Sequence, residues 1–323
     1  MDVASYTERL DRLHICTMIL TIVHPSMVMA MFVGPMIISL REGIEAALII
    51  SIMLSYLIKT RQESLKKYVI YGSGVAMLAS VGVAAVLAGV YGILEGEVLA
   101  LFEGVMVILA ALLLTTMIVW MRSVGHRLAA EIRQSMDEKI VIGGALGLAS
   151  LTFALILREG VELALFTVAL AVQDPVQTYL GVALGLALAV VIGVGIYRGS
   201  LRISMSTFFR WTSFFLILFA AGMVAYGIHE LQEAGYLLIG PLEVWNINPS
   251  LLSDGSYPLL HDNGLIGGLA KALFGYNGNP SGLEVVGYVS FLGILGGYFA
   301  YDSRKRGSPK TESEESIAQP TKA

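Results

Sequence analysis

The chain has 323 residues, of which 56% are hydrophobic, 14% are charged and 35 are glycine. A soluble domain carries about 25% charged residues, so this composition excludes a disordered chain and an ordinary soluble enzyme. The net charge of −4 gives no basic footprint for nucleic acid. The single cysteine, Cys16, excludes an internal disulfide framework and a multi-cysteine metal site. What remains is a polytopic membrane protein. Its apolar runs are continuous rather than alternating, so its spans are predicted as helices and not as strands.

Residues 1–30 read as an N-terminal extension. The run Leu13–Val23 is shorter than the roughly 20 residues a span needs. Mixed charges and the lack of a small-residue cleavage site make a poor signal peptide. Met27, Met29 and Met31 are alternative starts, so the extension is expected to lie on a surface or to be foreign to the native chain. Seven apolar runs follow, at roughly 33–57, 69–93, 98–121, 140–172, 177–197, 208–229 and 284–301. The expected fold is therefore all-α, with seven transmembrane helices.

Positive charge alternates between the loops. Lys59, Arg61, Lys66 and Lys67 follow the first run; Arg122, Arg127, Arg133 and Lys139 the third; Arg198, Arg202 and Arg210 the fifth; and Arg304, Lys305 and Arg306 the last. The intervening loops offer Glu95 and Glu97, then Asp174, then a long segment with Lys271 against Glu230, Glu233, Glu243, Asp254 and Asp262. Lysine and arginine collect on the cytoplasmic side, which sets the amino terminus outside and the carboxyl terminus inside. The organisation expected is a first three-helix repeat at 31–121, a cytoplasmic loop at 122–139 and a second repeat at 140–230. An extracytoplasmic loop at 231–283, a seventh helix at 284–301 and a disordered cytoplasmic tail at 302–323 complete it. The long loop should form a small structured cap.

Two of the runs carry charges deep inside. Arg41-Glu42-Gly43-Ile44-Glu45 lies in the first and Arg158-Glu159-Gly160-Val161-Glu162 in the fourth. Each charge near a bilayer centre costs at least about 2.5–3.5 kcal/mol, so these groups must pair or line a polar path. The two glutamates of each pentad are three apart and share a helix face; Arg41 with Glu45, and Arg158 with Glu162, are four apart and can pair. The glycines allow a neighbouring helix or an ion to approach. Three spans separate the pentads, so the two halves run in opposite senses, as inverted repeats. Such repeats are a transporter signature with a midplane site. Four carboxylates and two guanidiniums converging there leave a formal −2, which suits a hard cation held by oxygen: magnesium, calcium, manganese or oxidised iron. The nearest reading without transport is an arginine–glutamate pair acting as packing glue, which a doubled motif in inverted halves disfavours.

This doubled motif, in seven spans with the amino terminus outside, resembles the high-affinity iron permease family of the oxidase-dependent iron transporters. Further matches are Phe102-Glu103-Gly104, the stretch Met117–Met121, and Ala225-Tyr226-Gly227-Ile228-His229-Glu230-Leu231-Gln232-Glu233-Ala234-Gly235. The resemblance covers roughly residues 31–301 and implies import of iron across the cytoplasmic membrane, with Glu42, Glu45, Glu159 and Glu162 as iron ligands. It implies no permanently bound cofactor, iron being cargo, and a separate extracytoplasmic ferroxidase or iron-handling partner. Some relatives are linked to lead, which with manganese is the alternative cargo.

Secondary candidates sit at the outer ends of the spans. Glu103 lies inside an apolar stretch, and His229, Glu230 and Glu233 close the sixth run; together they are candidates for an ion-collecting site at the mouth. Glu95 and Glu97 read as a solvated loop, and His261 with Asp262 as a weaker hand-over candidate. His14, His24 and His126 have no expected metal role, and the methionines mostly fill spans. An intramembrane di-iron oxidoreductase is a second class of reading, but such sites add Glu-x-x-His on two helices, and here the third residue on is glutamate. A metal-binding sensor is a third. No phosphate loop of the G-x-x-x-x-G-K type is present. The chain is thus expected to be a permease and not an enzyme.

Overall fold

The computed structural model describes residues 32–124, 127–172, 174–198, 205–252, 257–262 and 264–307. The expectations for the extension, for His14, His24 and His126, and for the tail beyond 307 lie outside these residues. In chain order the helices are α1 Val33–Lys59, α2 Lys66–Tyr91, α3 Gly96–Val124, α4 Leu128–Ala171, α5 Pro175–Tyr197, α6 Met205–Glu233, α7 Leu265–Phe274 and α8 Gly282–Gly307. A short 3-10 turn, Glu63–Leu65, precedes α2, and no strand occurs among the described residues.

Six of these helices, α2 to α6 and α8, are long and apolar enough to cross a membrane. The outward face of α2 exposes Ile70, Leu78, Val81 and Val86, as a surface meeting lipid does. α1 is as long, at 27 residues, but Arg41, Glu42 and Glu45 interrupt its apolar run.

Helix ends follow local chemistry. The Asp174 carboxylate accepts the Gln177 backbone N–H at 3.0 Å, and Pro175 opens α5 at its first position. α7 stops at Gly275, whose left-handed φ of 68° lets the chain turn against Gly222 of α6. α4 spans 44 residues as two helical segments that meet at a kink at Gly144 (φ 56°, ψ −134°), a conformation open only to glycine. Its leading stretch falls within the segment expected as a loop at 122–139. That stretch is helical from Leu128, and Ile132 and Met136 pack on Ile49, Met53 and Leu57 of α1.

The helices associate most extensively as α1 on α5, α2 on α4 and α3 on α6, with α1 also against α4. Small residues set these approaches. Gly72 of α2 abuts Ala149 and Thr152 of α4, while Gly181 of α5 abuts Phe32 and Pro35 at the start of α1. Gly160 of α4 faces Ser80 of α2, and Gly43 of α1 faces Ala189 and Leu186 of α5. Gly104 of α3 and Gly227 of α6 each lie against the other's carbonyl, flanked by Leu231 and Ile108. In an apolar solvent, helices associate through such close packing rather than through hydrophobic expulsion. Gly185 of α5 leaves no room for a side chain between Ser39 and the Met36 carbonyl. Gly185→Leu should therefore destabilise the α1–α5 pair by about 1–3 kcal/mol or more. The measurement is a detergent melting curve followed by size exclusion; an unchanged melting point would show that the pair yields easily.

Candidate metal centre

α1 and α4 bring the two pentads into one buried cluster. One carboxylate oxygen each from Glu42, Glu159 and Glu162 lies within 4.8 Å of the others. Among the described residues this is the group of three or more acidic, histidine or cysteine side chains able to share an ion. Oxygens around a cation at about 2.0–2.6 Å stand roughly 3–5 Å from one another, so small side-chain adjustments would complete a coordination shell. Glu42 Oε2, Glu159 Oε2 and Glu162 Oε2 are buried and accept no hydrogen bond. Buried lone pairs without donors are costly to leave, and a cation is the partner this donor set suits.

The arginines occupy unequal environments. Arg41 is fully buried: Nη1 donates to Glu42 Oε1 at 2.8 Å and to the Met117 sulfur, and Nη2 stands 3.0 Å from Glu45 Oε1. Glu45 is thus held by Arg41, one turn from the three-carboxylate group. The Arg158 side chain is 41% exposed; Nε donates to Glu162 Oε1 at 2.9 Å, and the guanidinium lies 4.4 Å from the Trp120 ring centre. Among the described residues Glu159 has no ion-pair partner within 4 Å. Met117 and Trp120, both on α3, fall in the stretch Met117–Met121 that carries part of the family resemblance, but nothing in the sequence assigned them a role at the site.

The mouth candidates separate into two groups. Tyr91 Oη donates to Glu103 Oε1 at 3.0 Å, and Glu230 faces both Glu103 and Tyr226. His229 instead bridges Glu233 at 3.3 Å through Nε2 and Glu284 at 3.0 Å through Nδ1. Glu284 also accepts from Asn277 Nδ2 at 2.7 Å and shares a reciprocal cap with Ser281 at the start of α8. The sequence does carry that cap as Ser281-Gly282-Leu283-Glu284, a signal that reads as a helix start and not as a site. Glu95 and Glu97 are exposed. Asp262 is occupied by Asn248 and the Gly278 amide, and the His261 ring lies tilted against Tyr257 with centroids 4.6 Å apart.

Two cavities flank the cluster along α1. One, of about 280 Å³, opens beside Gly34 and Pro35 and is lined by Tyr226, His229, Asp262 and Glu284. The other, of about 330 Å³, opens at Ser51, Ser55, Tyr56 and Lys59. At a rise of about 1.5 Å per residue, the first lies roughly 10 Å along the helix from Glu42, while the second reaches Leu48, about 5 Å from Glu45.

The profile of the iron permease FTR1 family matches residues 32–307. The ferrous iron permease EfeU of Escherichia coli O6:H1 is 35% identical over 265 residues, covering 81% of this chain and 92% of that protein. The ferrous iron permease EfeU of Yersinia pestis is 32% identical over 265 residues, covering 81% and 90%. An uncharacterized protein of Archaeoglobus fulgidus is 33% identical over 271 residues, covering 83% and 94%. No solved structure matches the chain.

Proposed function

The chain belongs to the iron permease FTR1 family, a multi-pass protein of the cell membrane, and on that premise we propose that it imports ferrous iron through a midplane site built by Glu42, Glu159 and Glu162, with Glu45 as the fourth carboxylate. The observation that carries this is the convergence of those three carboxylates, from two helices, with buried oxygens that accept no hydrogen bond. The ferrous state follows the name of the relatives. It also agrees with the formal −2 of four glutamates and two arginines, which a divalent ion balances.

In this reading α1 is the seventh span, tolerated across the bilayer because its charges pair internally. The two halves are inverted repeats with the amino terminus outside. The pentad offset of 117 residues carries Phe32 onto Ala149 and Pro35 onto Thr152, the partners of Gly181 and Gly72 respectively. The mutual contact of Gly104 with Gly227 supports the same exchange of halves. Acidic groups at the mouth, Glu103 with Glu230 and Glu233 beside His229, raise the local cation concentration. An extracytoplasmic ferroxidase or iron-handling partner would meet the chain on the face formed by the loop at 231–283. Carboxylates must lose protons to bind metal, so acid weakens the site.

The test is uptake of radioactive ferrous iron into proteoliposomes holding the purified chain, with manganese and lead as competitors. Saturable uptake is expected, with half-saturation rising as the outer pH falls. Saturable binding without flux would overturn the permease reading in favour of a sensor, and preferred competition by lead or manganese would reassign the cargo.

A further inference from the structure

The pentads have the same pattern in sequence, yet only one arginine is locked. Buried Arg41 donates through Nη1 to Glu42 and Met117, and its Nη2 lies at ion-pair distance from Glu45 without a hydrogen bond. Arg158 is half-exposed and bonds one oxygen of one glutamate. A guanidinium carries five donors in a planar fork and pairs with carboxylates two-pronged where it can. Within reach of the same helix turn are Glu159 Oε2 and Glu162 Oε2, buried and accepting nothing. Arg158 is therefore the internal competitor for the oxygens a cation would use. What its guanidinium lies on instead is the ring of Trp120, at 4.4 Å, and tryptophan is the strongest of the aromatic faces for a cation.

We infer that Trp120 is a positioning residue: its indole face holds the Arg158 guanidinium off the carboxylate cluster, leaving those oxygens to the cargo cation. This rests on the permease reading above. Trp120 comes from α3, which contributes no pentad residue, so the helix governs the site's affinity without touching the ion. Met117, three residues earlier on α3, accepts a hydrogen bond from Arg41, so one helix contacts both arginines. Releasing Arg158 turns it into a competitor, which raises the iron concentration needed for half-saturation and leaves the rate at saturation alone.

The experiment is ferrous iron uptake into proteoliposomes for the wild type, Trp120→Phe and Trp120→Leu, each also in an Arg158→Gln background. Trp120→Leu should raise half-saturation about threefold to thirtyfold, the span of a cation–π contact converted to affinity, with maximal rate within about twofold of wild type. Trp120→Phe should recover most of the loss, and in the Arg158→Gln background Trp120→Leu should add nothing. A packing role is separated by fluorinated tryptophans, incorporated into a chain carrying Trp211→Phe and Trp245→Phe. Fluorine withdraws charge from the ring face at nearly constant shape, so half-saturation should climb with fluorine content; a flat series overturns the proposal. Wild-type half-saturation in Trp120→Leu, beside Glu159→Gln protein that has lost uptake, overturns the positioning role alone. Absence of saturable uptake in the wild type overturns the permease reading and this proposal with it.

Discussion

Glu159→Gln is expected to abolish iron uptake while the chain still inserts, packs and melts at or above the wild-type temperature. Glu159 is the informative position because it is the one carboxylate of the cluster with no arginine in contact. Glu42 and Glu45 are held by Arg41, and Glu162 by Arg158, so neutralising any of those also strands a cation. Neutralising Glu159 strands nothing and removes a buried charge that has no ion pair, which costs no stability and can add some. The amide keeps the volume and one carbonyl oxygen but loses the charge that balances a divalent ion. Even outer-shell changes cost metal sites about 10–100-fold, so loss of a charged ligand should exceed about a hundredfold in apparent affinity. Uptake and melting measured on the same preparation decide the matter. Wild-type uptake by Glu159→Gln would remove the carboxylate cluster from the transport path, and a collapsed melting point would make Glu159 a structural residue.

Why the two pentads differ was not legible in the sequence. Their internal spacing was: four residues between arginine and the second glutamate is one helical turn, and those pairs stand at 3.0 and 2.9 Å. The helical character of the spans was equally plain, because uninterrupted apolar runs of this length have no other stable form in lipid. What decides that Arg41 is sealed and Arg158 is not comes from α3, more than 30 residues from either pentad along the chain, through a methionine and a tryptophan whose place in a matched stretch says nothing of which arginine each meets. The helical form of the stretch before the Gly144 kink was not legible for a different reason. Arg127, Glu131, Arg133, Asp137, Glu138 and Lys139 give 122–139 the charge density of a loop. Leu128, Ile132, Met136 and Ile140 nevertheless repeat every four residues, which is a helix stripe, and they seat on the α1 core. The mouth candidates were recognised as residue types, but their division into Glu103–Glu230 and Glu233–His229–Glu284 depends on α8, whose first turn supplies Glu284 from 55 residues beyond His229.

Arg41→Ala is expected to be the most destabilising single change in the site, and far worse than Arg158→Ala. Arg41 is 1% exposed and is the cation for two buried carboxylates at once. Removing it takes the formal charge of the cluster from −2 to −3 and leaves Glu42 and Glu45 without a counter-ion. Breaking a buried pair in this one-sided way costs about 3–5 kcal/mol. Arg158 has one carboxylate partner and a side chain 41% exposed, so its loss strands one carboxylate rather than two and should cost less. Arg41→Lys keeps the charge but replaces a fork that reaches both glutamates with a single ammonium, and should lie between the two. The cause is separable from lost packing by compensation: Arg41→Ala combined with Glu42→Gln and Glu45→Gln removes the stranded charges and should regain much of the melting temperature, still without transport. Thermal unfolding in detergent, followed by light scattering, measures all of these. If Arg41→Ala melts with the wild type, the guanidinium is not the counter-ion of the cluster. If the triple variant melts no higher than Arg41→Ala, what the arginine supplies is volume at the α1–α3 contact with Met117 and not charge.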